Sequence, residues 1–527
     1  MLSEWAQKCQ NARVKDNESL ADVLAPAMAL APDKIAITFE DQTYTYRAID
    51  AAANRIANGL VGIGIKPGDR VAVHLDNRPD FILIYLGVMR AGGVLVPTNV
   101  MYTAEEMEHI LGDSGARAIF VLSPLTEKIK KVKAPALETI IELGEKTQGH
   151  VTFADFMSKA GTSRPNVRRD PSKVAIIQYT SGTTGKPKGA MVSDKNIFAV
   201  LDATSDLPGS LPGIPEDTTF LVLPLFHAYA LDLVINRSFL SIQMIVLHAR
   251  FDAEKVFRDF ERYKVTAFYG APPMYHAFVN TPGLDKYKVT SLRGAYSGAA
   301  PLPVVVMERF KALTGVQIYE GYGLSETAPT LTSNMAGPVN KPGAVGPAIK
   351  NVEIKLVDDN DVEVGKGEVG EVVAKGPNIF LGYWNRPEAT EEAFRGGWFH
   401  TGDMGRFDED GYLYIVDRKK DMVVVSGYNV YPIEIENVVM RHPKIVDCAV
   451  IGVPNEYQGE SVKACVVLKQ GETMTADELQ AYCREHLAAF KVPKFISVRT
   501  GLPKNPTGKI LKRVLREEEG GITKART

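Results

Sequence analysis

The sequence predicts an α/β protein with a large N-terminal part and a small α+β C-terminal part. From residue 46 onward, helical and extended apolar patterns alternate, which indicates a parallel sheet covered on both faces. Residues 352–375 change to a two-residue period, which indicates a β-rich subdomain. After residue 417 the pattern is that of a separate unit of about a hundred residues.

The individual elements follow from apolar spacing and turn residues. Residues 46–60 are spaced as a helix that ends at Gly62 and Gly64, and residues 70–75 form a strand. Pro79 suits the first turn of the next helix. A dinucleotide-binding turn is excluded at residues 62–64, because the third glycine of that motif is misplaced. In the C-terminal part, helices are expected at 432–440 and 476–489, and strands at 446–453 and 495–498.

Composition excludes several classes of protein. The 527 residues are 45% hydrophobic and 24% charged, and the net charge of −2 argues against a nucleic-acid partner. The four cysteines (Cys9, Cys448, Cys465 and Cys483) form no CxxC pair and are expected to pack in a reducing compartment. No stretch is apolar enough to span a membrane, and no signal peptide or peroxisomal address is visible. The cytoplasm is therefore the expected location.

A glycine- and hydroxyl-rich loop follows the apolar strand at residues 173–178. Glycines let main-chain N–H groups turn toward an anion, and the loop adds hydroxyl donors and two lysines, Lys186 and Lys188. A polar surface loop is the alternative, but so many donors directly after a buried strand favour phosphate binding. Pro187 follows Lys186 where a Walker A loop requires serine or threonine. The sequence therefore predicts a phosphate loop of another kind.

This loop, Tyr179-Thr-Ser-Gly-Thr-Thr-Gly-Lys-Pro-Lys-Gly189, resembles the signature of the acyl-adenylate-forming enzymes. That superfamily includes AMP-forming acyl-CoA synthetases, peptide-synthetase adenylation domains and beetle luciferases. Segments 320–327, 397–403 and 503–510 extend the resemblance over nearly the whole chain. It implies an adenylating domain, 1–417, with a β-barrel-like subdomain, and a mobile C-terminal domain, 418–527. It also implies ATP, Mg²⁺ and coenzyme A.

The resemblance assigns the nucleotide site. Tyr322 resembles the adenine-stacking aromatic, Asp403 the carboxylate that accepts the ribose hydroxyls, and Arg418 the ribose-binding arginine. Glu326 resembles the carboxylate that holds Mg²⁺, a cation that prefers oxygen ligands, and Thr184 is the second predicted metal ligand. The full set of nucleotide-binding residues that it implies is Thr180, Ser181, Gly182, Thr183, Thr184, Gly185, Lys186, Lys188, Gly298, Ala299, Ala300, Glu320, Gly321, Tyr322, Gly323, Ser325, Asp403, Ile415 and Arg418.

The resemblance also assigns catalysis and domain motion. Lys509 resembles the lysine that bridges the substrate carboxylate and the α-phosphate, where a cation stabilises the transition state. The other predicted catalytic residues are Glu326, Thr184 and Gly427. Lys420 occupies the hinge position, and Gly427 would border the tunnel for the CoA thiol. The acyl pocket is predicted to include Phe226, His227, Tyr229, Leu231 and Gly323, with His227 positioning substrate rather than transferring protons.

The implied reaction joins a carboxylic acid to CoA through acyl-AMP. Acetate-type relatives have tryptophan where this chain has Gly323, so a medium-chain fatty, alicyclic or aryl acid is expected. One alternative is an enzyme that loads a carrier-protein thiol, and a luciferase-like oxygenase ranks lower. A non-catalytic nucleotide-binding relative ranks lowest, because every catalytic position is filled. The partners are then the acid, ATP and CoA, and the sequence is compatible with a homodimer.

Overall fold

The computed structural model describes residues 18–144, 151–180, 186–205, 207, 216–426, 428–455, 457, 459–505 and 508–519. Within these ranges it is the predicted α/β protein, with two large sheets, a smaller antiparallel sheet and a separate C-terminal sheet. None of the helices in the described ranges combines the length and apolarity that crossing a bilayer requires.

The two large sheets are mostly parallel. In the described part of the chain, the first has eight strands in the order β15-β14-β13-β12-β10-β11-β1-β2. Its strands are β1 Ile35–Phe39, β2 Gln42–Thr45, β10 Thr218–Leu221, β11 Met244–Leu247, β12 Ala267–Gly270, β13 Gly294–Ser297, β14 Ile318–Tyr322 and β15 Thr332–Ser333. The second has seven described strands in the order β7-β6-β5-β3-β4-β8-β9. These are β3 Arg70–His74, β4 Val94–Pro97, β5 Ala118–Leu122, β6 Thr139–Leu143, β7 Val151–Thr152, β8 Val174–Thr180 and β9 Lys188–Ser193.

The two smaller sheets follow in the chain. The predicted β-rich segment forms an antiparallel sheet of β16 Glu353–Val357, β17 Gly370–Lys375, β18 Phe399–Phe407 and β19 Leu413–Arg418. The C-terminal sheet contains β20 Val423–Val425, β21 Tyr428–Val430, β22 Ile445–Asn455, β23 Gly459–Leu468 and β24 Phe495–Arg499. Its apolar cluster includes Cys448 and Cys483, and Cys465 is also buried, so these three free cysteines pack as expected.

Helices connect the strands and cover the sheets. Their bounds are α1 Leu20–Ala29, α2 Tyr46–Gly62, α3 Pro79–Arg90, α4 Ala104–Ser114, α5 Ser123–Lys130, α6 Phe153–Ser158, α7 Asp194–Ser205, α8 Asn236–Leu240, α9 Ala253–Arg262, α10 Pro272–Asn280, α11 Val304–Thr314, α12 Pro387–Ala393, α13 Pro432–Val439, α14 Ala476–His486 and α15 Lys512–Glu518. A π-helix, Tyr229–Ile235, leads directly into α8. Helix α14 ends earlier than the predicted residue 489 because Leu487 is extended.

One apolar cluster joins the two large sheets. It includes Ile37 and Leu247 from the first sheet, Val73 and Ile176 from the second, and Phe81 from helix α3. The carboxyl ends of parallel strands are where α/β proteins usually bind ligands. Strands β8, β13 and β14 end at three of the predicted motifs.

Candidate active site

A β-hairpin holds the two ends of the predicted phosphate loop. Strands β8 and β9 pair antiparallel, so that Thr180 lies opposite Lys188. Lys186 is exposed and Lys188 is half-buried. The predicted loop residues Ser181, Gly182, Thr183, Thr184 and Gly185 lie outside the described residues. The hairpin therefore fixes where the loop begins and ends.

Helix α4 supports the base of this hairpin. The hydroxyl of Tyr179 donates to Asp113 Oδ2 at 2.7 Å. His109 Nε2 lies 2.8 Å from the main-chain oxygen of Pro187, so it donates a hydrogen bond to that carbonyl. His109 and Asp113 are one turn apart on the same helix, and their partners are on opposite arms of the hairpin. Both contacts were missed by sequence reasoning, because α4 lies about 70 residues before the loop.

A second support lies along β9 at residues 380–384. Ala190 and Tyr383 form an isolated antiparallel bridge, and the Trp384 main-chain N–H donates to the Gly189 carbonyl at 2.8 Å. This places the Tyr383 ring 5.3 Å from Lys188 Nζ. The Tyr383 hydroxyl donates to Glu326 Oε1 at 3.0 Å. Tyr383 thus connects the lysine of the loop with the predicted metal ligand.

Glu326 is a buried carboxylate in a short 3₁₀ turn after β14. It is 7% exposed, and burial raises the pKa of its carboxyl. Its described side-chain partner, Tyr383, is neutral. Among the described residues no cluster of three acidic, histidine or cysteine side chains could hold a metal. One carboxylate that shares a cation with nucleotide phosphates is a usual arrangement for Mg²⁺, so the residues present fit this ion.

The two predicted ribose-binding residues, Asp403 and Arg418, and the predicted adenine-stacking Tyr322 form one hydrogen-bonded group. Asp403 on β18 lies directly opposite Arg418 on β19. Arg418 Nε is 3.3 Å from Asp403 Oδ1, and the Tyr322 hydroxyl donates to Asp403 Oδ2 at 2.6 Å. Ile415 and Tyr322 both pack against the same buried apolar cluster. A carboxylate fixed by two donors is well prepared to accept the hydroxyls of a cis-diol.

The remaining residues of the second motif have different surroundings. Glu320 is buried, and its Oε1 accepts from the Leu302 main-chain N–H at 3.0 Å, so its carboxylate braces the turn before α11. Gly321 pairs with Ser333, and Ser325 is half-buried in the 3₁₀ turn.

Gly323 is required by close main-chain packing. A Cβ built at Gly323 would lie 1.9 Å from the carbonyl oxygen of Pro329 and 2.8 Å from Cα of Thr330. The comparison with acetate-type enzymes suggests that Gly323→Trp would shorten the pocket. The structure shows that a tryptophan here would also displace the main chain at Pro329 and Thr330. That Gly323 lines the acyl site stays a prediction.

Small residues and tyrosines lie together at the end of strand β13. Gly298, Ala299 and Ala300 follow β13, and Ala299 has a left-handed φ of 72°. A Cβ built at Gly298 would lie 3.2 Å from Cε1 of Tyr229, so the tyrosine ring rests against this glycine. Tyr229 also meets Tyr269 edge-on at 6.2 Å. Tyr269 and Tyr296 are side by side in register on β12 and β13, with ring centroids 4.7 Å apart.

The other predicted acyl-site residues lie just before the π-helix or within it. His227 Nδ1 accepts from the Tyr229 main-chain N–H at 3.3 Å. Burial, and then the nearby charge of Lys509, lowers the pKa of His227 to about 4. His227 is therefore neutral at pH 7, which is consistent with a positioning role. Phe226 is half-buried, whereas Leu231 is fully buried in the main core.

Lys509 lies near Asp403 and Arg418, although it belongs to the C-terminal part of the chain. A tight turn presents it: the Gly508 main-chain N–H donates to the Asn505 carbonyl at 2.8 Å, and Gly508 has a φ of 82°. Asn505 Oδ1 accepts from the Lys509 main-chain N–H at 2.8 Å. Burial, and then the charge of Arg418, lowers the pKa of Lys509 to about 7, while Asp403 opposes this.

Residues on the two sides of the predicted hinge, Lys420, form ion pairs with different parts of the molecule. Lys419 pairs with Glu371 at 3.1 Å, which belongs to the antiparallel sheet. Asp421 pairs with Arg516 at 2.7 Å, which belongs to α15. Lys420 lies between them and is exposed. Gly427, predicted to border the thiol tunnel, lies outside the described residues.

Comparison with known proteins identifies the family of this chain. A family model described as AMP-binding enzyme matches residues 24–384, and one described as AMP-binding enzyme C-terminal domain matches residues 434–509. The chain is 37% identical to a long-chain-fatty-acid–CoA ligase of Bacillus subtilis (strain 168), covering 98% of each sequence. It is 35% identical to a feruloyl-CoA synthase of Amycolatopsis sp., covering 96% of this chain and 100% of that one.

Solved structures show the same architecture. The crystal structure of ATP-bound MatB from Rhodopseudomonas palustris aligns with a TM-score of 0.89 at 34% identity, covering 96% of this chain and 100% of that one. The apo form of MatB aligns with a TM-score of 0.78. Because the first family model covers more than half of the chain, the protein belongs to the AMP-binding enzyme family, among the AMP-forming acyl-CoA synthetases.

Proposed function

We propose that this synthetase converts a medium-chain fatty, alicyclic or aryl acid into its CoA thioester. In the first half-reaction, a carboxylate oxygen attacks the α-phosphorus of ATP and pyrophosphate leaves. In the second, the CoA thiol attacks the acyl carbon, its proton passes to solvent, and AMP leaves. The mixed anhydride replaces hydroxide with AMP as leaving group. The observation that best supports this proposal is the position of Lys509 beside Asp403 and Arg418.

Different side chains of this protein would bind the ribose, the Mg²⁺ ion and the phosphates of ATP. Asp403 would accept the ribose hydroxyls while Arg418 and Tyr322 keep its carboxylate oriented. Glu326 and Thr184 would hold Mg²⁺, and the Tyr383 hydroxyl orients Glu326. Mg²⁺ supplies positive charge that neutralises the phosphate oxygens. Lys188 and the loop main chain would bind the β- and γ-phosphates.

Lys509 would act on the reacting atoms. Two anions, the carboxylate and the α-phosphate, must approach each other, so a cation between them lowers the barrier most in the transition state. The pKa of Lys509 is about 7 without these anions. Their negative charge favours the ammonium form, so substrate binding itself charges the lysine when it is needed.

ATP binding should therefore take up protons. A lysine with a pKa of about 7 is only partly protonated near neutral pH. The negative charge of a polyphosphate favours its ammonium form, so the number of protons taken up per ATP should lie between zero and one. Calorimetric titration with MgATP in two buffers of different ionisation enthalpy measures this number. The Lys509→Ala variant should take up almost none. Equal uptake by the two proteins would show that another group titrates.

Rotation of the C-terminal domain would separate the two half-reactions. Removing Lys509 and presenting Gly427 requires a large change at one or two backbone dihedrals, as hinges commonly show. Lys420 is suited to this, because its neighbours are bound on opposite sides and it is exposed. The proposed domain boundary, between residues 417 and 418, lies just before this hinge.

The tyrosine-lined wall would select the acid. Tyr229, Tyr269 and Tyr296 present flat aromatic surface at the carboxyl end of the first sheet, next to Gly298. Such surface suits a ring or an apolar chain, and the phenolic groups can also meet a polar substituent. This agrees with relatives that are named for long-chain fatty acids and for feruloyl-CoA.

Narrowing this wall should change the preference among acids. In Gly298→Ala the added methyl group competes with the Tyr229 ring, so kcat/KM for benzoate and cyclohexanecarboxylate should fall about tenfold relative to hexanoate. The matched control is Gly62→Ala, where an added Cβ meets nothing within 4 Å. An unchanged ratio of acids in Gly298→Ala would place the acyl pocket elsewhere.

A pyrophosphate-release screen tests the proposed function. The acids are acetate, hexanoate, octanoate, palmitate, benzoate and cyclohexanecarboxylate, each assayed with ATP and CoA. We expect the apolar acids of six or more carbons to outperform acetate and to yield CoA thioester. Turnover with a carrier-protein thiol but not with CoA would favour the carrier-loading alternative. Light emission or oxygen uptake from the adenylate would favour the oxygenase.

A further inference from the structure

Asp417 is bound on both sides of the hinge. Its main chain belongs to β19 and lies opposite Met404 of the antiparallel sheet. Its carboxylate points the other way: Oδ2 accepts from the Ile433 main-chain N–H at 3.1 Å, in the first turn of α13. The same oxygen lies 3.8 Å from Lys512 Nζ, on α15. The side chain of Asp417 is therefore held by the domain to which its main chain does not belong.

Lys512 extends this contact into a buried ionic cluster. Its ammonium is 2.9 Å from Glu436 Oε1, which also accepts from the Val450 main-chain N–H at 2.7 Å. Asp417 is 3% exposed, and the Lys512 side chain is 13% exposed. Burial would lower the pKa of Lys512, but the neighbouring carboxylates, led by Asp417, raise it. We call Asp417, Glu436 and Lys512 the hinge-spanning cluster.

Neighbouring ion pairs do not span the hinge. Lys419 is paired with Glu371 and with Asp359, at 2.7 Å, on the N-terminal side. Asp421 is paired with Arg516 on the C-terminal side. A rotation at Lys420 would leave these pairs intact. It would separate Asp417 from both Ile433 N–H and Lys512, while the Lys512–Glu436 pair would move as one body.

The consequence is a contact that stabilises one arrangement selectively. A buried pair is costly to break when one charge stays buried alone. After Asp417 and Lys512 separate, Lys512 would still be paired with Glu436, and Asp417 would become accessible to water. The separation therefore leaves no charge both buried and unpaired. A contact made in one of two states shifts the population toward that state by its own free energy. The hinge-spanning cluster therefore favours the arrangement in which Lys509 lies in the active site.

We propose that Asp417 is a positioning residue for the first half-reaction, which holds the adenylating arrangement through Ile433 N–H and Lys512. This inference rests on the proposed two-step function. Asp417 touches no reacting atom in this role. Lys509 is three residues before Lys512 in the sequence. By holding Lys512, Asp417 keeps Lys509 near Asp403 and Arg418.

Asp417→Asn tests this inference. The amide oxygen can still accept from Ile433 N–H, but the charge that faces Lys512 is lost. We expect kcat for acid-dependent pyrophosphate release to fall about tenfold relative to thioester formation from supplied acyl-AMP, because typical coupling energies give shifts of this size. KM for ATP should stay unchanged, since the nucleotide contacts are intact. The matched control is Glu519→Gln, which loses a carboxylate whose partner Arg499, at 2.8 Å, lies in the same domain.

A second variant keeps the test decisive. Lys512→Met also removes the Lys512–Glu436 pair within the C-terminal domain, but it should shift the same ratio in the same direction. The Asp417→Asn/Lys512→Met double variant should shift the ratio no further, since both substitutions remove the Asp417–Lys512 contact. An unchanged ratio, an equal loss of both half-reactions, or a shift in Glu519→Gln as large as in Asp417→Asn would overturn the inference. The proposed function is judged separately, by whether the wild-type enzyme forms CoA thioester at all.

Discussion

Replacing Lys509 with alanine is expected to reduce acyl-adenylate formation by about a hundredfold to a thousandfold. Loss of a preorganised charge at the reacting centre costs roughly 3 kcal/mol or more. Thioester formation from supplied acyl-AMP should continue at close to the wild-type rate, because Lys509 would have left the site by then. The measurements are pyrophosphate release with acid and ATP, and thioester formation from synthetic acyl-AMP and CoA.

A nearby lysine provides the control for this substitution. Lys504 lies on the same turn, and its ammonium pairs with Asp447 at 2.6 Å within the C-terminal domain. Lys504→Ala should therefore leave both half-reactions close to wild type. If Lys509→Ala slowed both half-reactions equally, its assigned role in adenylation would be wrong.

Replacing Lys420 with proline is expected to separate the half-reactions in the opposite sense. Proline fixes φ near −65° and restricts the preceding residue, so the hinge can no longer rotate. None of the described hydrogen bonds uses the Lys420 main-chain N–H, so the adenylating arrangement loses no donor. The Asp421 main-chain N–H donates to the Arg418 carbonyl at 2.9 Å, so Lys420 is a central residue of a turn. If proline suits this turn, pyrophosphate release should persist, while thioester formation from supplied acyl-AMP should fall about a hundredfold or more, since the hinge gates that step.

Lys420→Ala is the matched control for this second substitution. It removes the same exposed side chain but leaves the backbone free to rotate, so both half-reactions should continue. Normal thioester formation by Lys420→Pro would contradict Lys420 as the hinge. The Lys420→Pro and Asp417→Asn variants should thus affect opposite half-reactions, although they are three residues apart.

The sequence was sufficient to predict the fold and the order of the motifs. Apolar runs such as residues 173–178 became buried strands, and the change of pattern near 417 coincides with the change of contacts around Lys420. Both signals are local, since periodicity and turn residues act over a few positions. The end of α14 was misjudged for the same reason, because an extended residue inside an apolar pattern leaves no local trace.

Contacts between distant segments could not be predicted in this way. The Tyr383–Glu326 and Tyr322–Asp403 hydrogen bonds join residues far apart in sequence, and no spacing rule connects them. The requirement for glycine at position 323 could not be predicted either, because it comes from close contact with the Pro329 main chain. The hinge-spanning cluster likewise appears only when β19, α13 and α15 are seen together.

The path of one oxygen atom tests the central claim most directly. A carboxylic acid labelled with ¹⁸O at both carboxyl oxygens is turned over with ATP and CoA, and the products are analysed by mass spectrometry. Because a carboxylate oxygen attacks the α-phosphorus and the thiol then attacks the acyl carbon, AMP should carry one ¹⁸O atom and pyrophosphate none. Formation of ADP with labelled phosphate, or of unlabelled AMP, would contradict activation through an acyl-adenylate.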